Sequence, residues 1–294
     1  MTMIRSGLHA VLVISALLAA VPAEAQKPIR RGVPVNRDVG VKIWIPAGSI
    51  RIIGWDRDSL HVEGTLGKGE TFYFGGAGSG AKFGVDESPA GRVAQPARLT
   101  AYLPRGARVN VRTVTASIEA SDVSGWFSTV SGGIIVSGNA QEVQAEAIDG
   151  SISLTVTSPL VRARTGSGTL TVGGHIEDLV GSTVSGPLTV TAEGLARGRF
   201  ESVTGPIVMA APIDRAASID IDNHNGSVEL RLPSTVAADF DLTSVAGSIT
   251  NYFDKRPPTT GRQGRGQELS FFTDPKGARI VVRTFKGTIL LRHR

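Results

Sequence analysis

From residue 109 to residue 253, apolar and polar positions alternate in short runs that return at a nearly fixed interval. A small residue anchors each run, at Ala116, Gly132, Gly150, Gly168, Gly186, Gly205, Gly226 and Gly247, with steps of 16 to 21 residues and most often 18. Two positions after the anchor stand Ile118, Ile134, Ile152, Leu170, Leu188, Ile207, Val228 and Ile249. Seven and five positions before it the residues are apolar or small, as at Val143 and Ala145 or Val161 and Ala163. Alternation with period 2 puts one face of a strand into a core. Each unit therefore predicts two short strands, and the anchor predicts a tight turn between them in which glycine supplies φ > 0.

Three positions before the anchor, Thr113, Thr129, Thr165, Thr183, Ser202, Asn223 and Ser244 form a column of small hydrogen-bonding side chains. Columns of like residues are what stacked repeats produce. A unit of this length cannot bury its apolar face alone, so each must cover the next. The fold class predicted is all-β, a single-chain β-solenoid of roughly 18-residue rungs with an irregular N-terminal cap. An antiparallel meander with the anchors as hairpin turns is the alternative topology.

Taken in order, residues 1–25 have the composition of a signal peptide. Arg5 precedes an apolar run from Ala10 to Val21, and Ala23-Glu24-Ala25 forms a small-x-small cleavage site. Residues 26–37 read as a basic linker, and residues 38–108 as a first rung followed by an irregular β cap. Within that cap Thr71 to Phe74 predicts a strand, Gly75 to Gly84 a glycine-rich loop, and Leu99 to Leu103 a returning strand. Residues 109–253 are the regular array. Residues 254–268 interrupt it as a basic Pro/Gly loop, and residues 269–294 supply a terminal rung turning at Gly287.

Composition sharpens this picture in two ways. There is no cysteine, so an exported fold must rest on its core rather than on disulfides. The formal net charge is +5, concentrated in residues 27–37, 255–265 and 279–294. Such a field favours anionic partners, while the aromatics that single-stranded nucleic acid stacks upon are not interleaved with it.

The early Gly-Ser-Ile-Arg-Ile-Ile-Gly-Trp-Asp segment, Gly48 to Asp56, and the repeated Thr-x-x-Gly-x-Ile-x-Val units resemble a bacterial adhesin-like family built of β-strand repeats, a domain of unknown function. The resemblance covers roughly residues 36–292. It implies a repeat fold and an adhesive role at the cell envelope, and it brings no catalytic residues and no cofactor.

The chain offers little catalytic chemistry. The histidines at 61, 175, 224 and 293 have no metal-ligand spacing, and no nucleophile elbow is present. Asp220, Asp222 and His224 share one strand face by the period of 2 and form a candidate polar cluster, read chiefly as a solvated stripe. Gly75 to Gly84 superficially suggests phosphate binding but lacks the Gly-Lys-Ser/Thr ending and the following helix. Outward apolar residues at Trp126, Ile135, Val180 and Val208 predict either one sticky face or a surface covered by the irregular N-terminal cap.

The expectation is an exported, non-enzymatic scaffold contacting a protein or glycan of the envelope, without cofactor, metal or nucleic acid. Lys255, Arg256, Arg262 and Arg265 are its candidate interaction loop. A polysaccharide-active enzyme built on Asp220, Asp222 and His224 and an envelope-stress accessory protein are the alternatives.

Overall fold

The computed structural model describes residues 27–86, 93–261 and 264–294. Residues 1–26 and Arg262 lie outside it, so the leader segment and one loop cation have no structural account. The described residues form one large mixed sheet with no helix. None of it is therefore a helix long and apolar enough to cross a membrane.

The pairing follows the sequence repeat. Before the anchors, Val109, Gly125, Val143, Val161, Leu179, Gly198 and Ile219 lie side by side in successive parallel strands. After the anchors, Ile118, Ile134, Ile152, Leu170, Leu188, Ile207 and Val228 do the same. Each unit thus gives one strand to each of two parallel ladders. A hairpin meander would pair consecutive strands antiparallel, so the parallel register removes that topology.

Inward positions of both ladders carry the core. Phe127, Phe200, Phe240, Ile118, Ile134, Leu154 and Leu188 are buried, and full burial of such a side chain stabilises by roughly 1.5–3 kcal/mol. Bulky rings are accommodated by small neighbours. Phe200 pairs in register with Gly181, and a Cβ on Gly198 would stand 3.0 Å from the Phe200 ring.

The anchor glycines are required for a different reason from the one the sequence suggested. None of Gly132, Gly150, Gly168, Gly186, Gly205, Gly226, Gly247 or Gly287 has positive φ. They form a column in which each Cα faces the carbonyl of its neighbour. A Cβ on Gly150 would stand 1.9 Å from the Gly132 oxygen, one on Gly168 2.1 Å from Gly150, and one on Gly186 1.9 Å from Gly168. Close approach between rungs, not turn geometry, excludes a side chain.

Beside this column runs the buried hydroxyl column. Thr165 Oγ1 donates to the Gly150 carbonyl (2.9 Å), and Gly132 N donates to Thr129 Oγ1 (3.0 Å). Asn223 does both, through Nδ2 to Gly205 O (2.9 Å) and Oδ1 from Gly226 N (2.6 Å). Turn groups without a ladder partner are satisfied in this way.

Both ends depart from the expected order. Strand Ala278–Thr284 pairs in parallel with Ser218–Asn223 on one side and Ala238–Ser244 on the other. Ile289–His293 likewise lies between Val228–Leu232 and Ile249–Asn251. The last rung is therefore inserted within the stack. Gln267–Phe272 pairs antiparallel with Ala238–Ser244, and Phe271 stacks on Phe240 at 4.6 Å.

At the N-terminal end the stretch read as a linker belongs to the strand Lys27–Ile45, whose first part pairs antiparallel with Ser59–Leu66. The glycine-rich stretch read as a loop is part of the strand Phe72–Val85. Asp86 N donates to Thr71 O at 2.9 Å, so this strand folds back on itself, with positive φ at Gly76 and Gly78.

Candidate functional site

Outward positions before the anchors form a belt of opposed charges. Arg162 meets Glu142 (3.5 Å), Arg164 meets Glu146 (3.4 Å), Arg197 meets Asp178 (2.8 Å) and Arg199 meets Glu201 (2.6 Å). Asp220 lies 3.7 Å from Arg283 across the inserted rung. Asp222 sits in register between Glu201 and Arg283. The hydrogen bond and then the charge of Glu201 raise the Arg199 guanidinium above its ordinary value, with Asp222 and Asp220 adding to it.

The structure brings Asp222 and His224 into one open groove of about 470 Å³, together with Glu201, Arg283, Phe285, Val203 and Val245. Asp220 is not among its lining residues. Glu201 accepts a hydrogen bond from Arg199 Nε at 2.6 Å, so one of its oxygens is already committed to the belt of opposed charges. The His224 ring stacks on Phe285, with centroids 5.0 Å apart and planes 13° off parallel. Among the described residues no group of His, Asp and Glu could hold a metal ion.

The opposite turn carries a second polar groove, of about 490 Å³, lined in part by Arg105, Asp122, His175 and Glu177. Asp122 has φ of 55°, a region aspartate tolerates better than most residues. Its carboxylate accepts from Asn139 N (2.9 Å) and from Arg105 Nη1 (2.6 Å). The Asn139 hydrogen bond, aided by the guanidinium and opposed by burial, lowers it below the usual carboxylate range.

The basic segment near residue 255 is partly committed to the fold. Arg256 Nε pairs with Asp254 at 2.9 Å, and its guanidinium lies 5.2 Å over the Phe271 ring. Thr259–Thr260 pairs antiparallel with the start of Gln267–Phe272. Lys255, at φ of 62°, and Arg265 are exposed.

Of the outward apolar residues expected, Ile135 is 53% exposed, while Val180 and Val208 are half-buried. Trp126 lies under the Arg112 guanidinium at 4.9 Å. A longer apolar column was missed. Val114, Val130, Ile148, Val184, Val203, Phe285 and Val245 are all exposed and stand two positions before their anchors. Backbone bonds tie Val130 to Val114, Ile148 to Val130 and Ala246 to Phe285, which places these residues in consecutive rungs. Gly166 and His224 fill the remaining positions. With strands ~4.8 Å apart the column extends ~38 Å along the stack. The signal was available in the sequence, as an apolar residue recurring at the second position before each anchor.

Fold and surface together define a parallel β-repeat protein with a charged belt on one outer face and an apolar ridge along one turn. No family model and no curated protein matches the chain. Solved structures do: a "putative adhesin" from Bacteroides fragilis is 12% identical, over 91% of this chain and 98% of that one, with a TM-score of 0.47. A "putative lipid binding protein" from Parabacteroides distasonis is 11% identical over 90% and 97%, with a TM-score of 0.48. A "putative cell adhesion protein" from Clostridium sporogenes is 12% identical over 91% and 100%, with a TM-score of 0.21. Likenesses at these identities and scores carry nothing about ligand or activity.

Proposed function

We propose that the chain is an exported β-solenoid that acts as an adhesin-like interaction scaffold in the cell envelope. The observation that carries this reading is the apolar column from Val114 to Val245, kept exposed in rung after rung where a purely structural stack could carry polar residues. Contiguous exposed apolar surface marks contact with another molecule. The leader-like composition of residues 1–25 supports export, and the exposed cations Lys255 and Arg265 supply a second contact region. The opposed charges around Asp222 support a solvated belt there rather than an acid/base pair.

The test is capture of envelope fractions and a glycan panel by the mature protein, compared with Val130→Ser/Ile148→Ser/Val184→Ser. The expected result is at least a tenfold loss of capture with an unchanged circular dichroism spectrum. Undiminished capture by the variant would move the contact away from the column. Glycan hydrolysis abolished by Asp222→Asn would replace the scaffold with an enzyme.

A further inference from the structure

The fold-back of strand Phe72–Val85 leaves a cavity of about 510 Å³ where the glycine-rich stretch passes the first long strand. Its floor is largely glycine. A Cβ on Gly75 or Gly80 would meet nothing within 4 Å, and one on Gly40 would meet only the Ser79 carbonyl, at 3.9 Å. The missing side chains are the cavity.

Three cations line it, Lys42, Lys82 and Arg108, and no acidic residue does. Lys42 and Lys82 are directly opposite in neighbouring parallel strands, and Arg108 sits opposite Gly40 on the other side. Like charges placed face to face across a strand pair destabilise it. Elsewhere on this outer face Arg162, Arg164, Arg197 and Arg199 are each matched to a carboxylate. Among the described residues none of these three cations has an ion-pair partner. The arrangement is an anion site whose counter-charge has to come from a ligand.

We propose that Lys42, Lys82 and Arg108, over the cavity floored by Gly40, Gly75 and Gly80, bind the phosphate group of an envelope ligand. The proposal rests on the scaffold reading above and names one of its ligand classes. A phosphate suits the site better than a single carboxylate because it offers several acceptor oxygens and up to two negative charges to three cations. The planar guanidinium of Arg108 matches two of those oxygens, and the lysines act as point charges. The absence of side chains lets the group approach the backbone. Phosphate chemistry is shared by a lipid headgroup and a free phosphate, so both are probes.

Binding of the mature protein to phosphatidylcholine vesicles with and without phosphatidylglycerol is measured by co-sedimentation. Binding of inorganic phosphate is measured by calorimetry and by the rise in melting temperature that a ligand of the native state produces. The expected loss is about fivefold for each cation removed, the scale of one lysine or arginine near an anionic surface. Lys42→Gln/Lys82→Gln should therefore weaken binding by about 25-fold. It should leave the melting temperature without ligand unchanged or higher, because a repulsion has been removed.

Gly80→Leu keeps every charge and fills the cavity without a backbone clash, so it should also abolish binding while remaining folded. Vesicle binding alone identifies a headgroup; phosphate binding alone identifies a soluble phosphate; both results support the site. Wild-type affinity in Gly80→Leu and in Lys42→Gln/Lys82→Gln overturns it. An equal loss in Arg30→Gln/Arg31→Gln also overturns it, by showing diffuse attraction to net charge. If the apolar column captures envelope material while neither probe binds, this site fails and the scaffold stands. Probe binding without capture through the column does the reverse.

Discussion

Gly287 packs against Gly226, not beyond Gly247. A Cβ on Gly287 would stand 1.9 Å from the Gly226 carbonyl oxygen, and one on Gly247 would stand 2.2 Å from the Gly287 oxygen. The final repeat is therefore wedged between two earlier ones, and the glycine column records the true order of the stack. Stability of a repeat array is a sum of neighbour interfaces. Here one interior interface exists only after the last residues have been placed.

Removing bulk from the inserted rung should destabilise the far end disproportionately. Ile280 is fully buried and sits between Ile219 and Phe240 in the two flanking strands. Ile280→Ala is expected to lower unfolding free energy by about 2–5 kcal/mol. Native-state hydrogen exchange should rise together in Ser218–Asn223 and Ala238–Ser244. Faster exchange confined to Ala278–Thr284 would contradict the coupling.

The glycine column gives a comparison within one class of substitution. In Gly168→Ala the new Cβ would lie 2.1 Å from the Gly150 oxygen, so two rungs must separate. In Gly133→Ala the nearest atom is the Ser151 oxygen at 3.8 Å, ordinary contact. Chemical denaturation should show a loss of about 1–3 kcal/mol or more for the first. The second should be nearly neutral. Equal effects would mean that turn conformation, not stacking distance, selects glycine.

Much of this was legible from the chain alone because a stacked fold writes its geometry as recurrence. The apolar positions after the anchors and the threonine column fell at the residues where the ladders and buried hydroxyls are found. The reason for glycine at Gly150 was not legible, since a turn needing φ > 0 and a rung needing close approach ask for the same residue. Nor was the place of residues 278–293. Their repeat spacing matches every other rung equally well, and only long-range pairing with Ser218–Asn223 decides where they sit. The cavity at Lys42 and Lys82 was hidden for a related reason. It joins two segments that carry no common motif, one of which read as a loop.

Acid should weaken the fold in part through Asp122. Its native carboxyl lies below the usual range because Asn139 N–H and Arg105 bind the ionised form. A group depressed in the folded state contributes stability above its unfolded pKa, and that contribution disappears as pH falls through the folded value. The loss should therefore begin near pH 4, where an unfolded aspartate titrates, and continue below it. In Asp122→Asn the melting temperature should be lower at neutral pH and fall less steeply in acid. Parallel curves for the two proteins would show that other carboxylates carry the acid dependence.

The hydroxyl column has one gap that can be filled. Ala147 occupies the position held by Thr129 and Thr165 in the adjacent rungs and is buried, with no group to offer the Gly132 carbonyl or the Gly150 N–H. Thr165 and Thr129 make the equivalent bonds at 2.9 and 3.0 Å. Serine at this site adds one oxygen where the column already provides a carbonyl acceptor, and a satisfied hydrogen bond contributes about 0.5–1.5 kcal/mol. Ala147→Ser is expected to raise the unfolding free energy by that amount, read as a higher denaturation midpoint with an unchanged denaturant slope. A lower midpoint would mean that the added oxygen is buried without its partner, and that the column is tuned rung by rung instead of being a repeating rule.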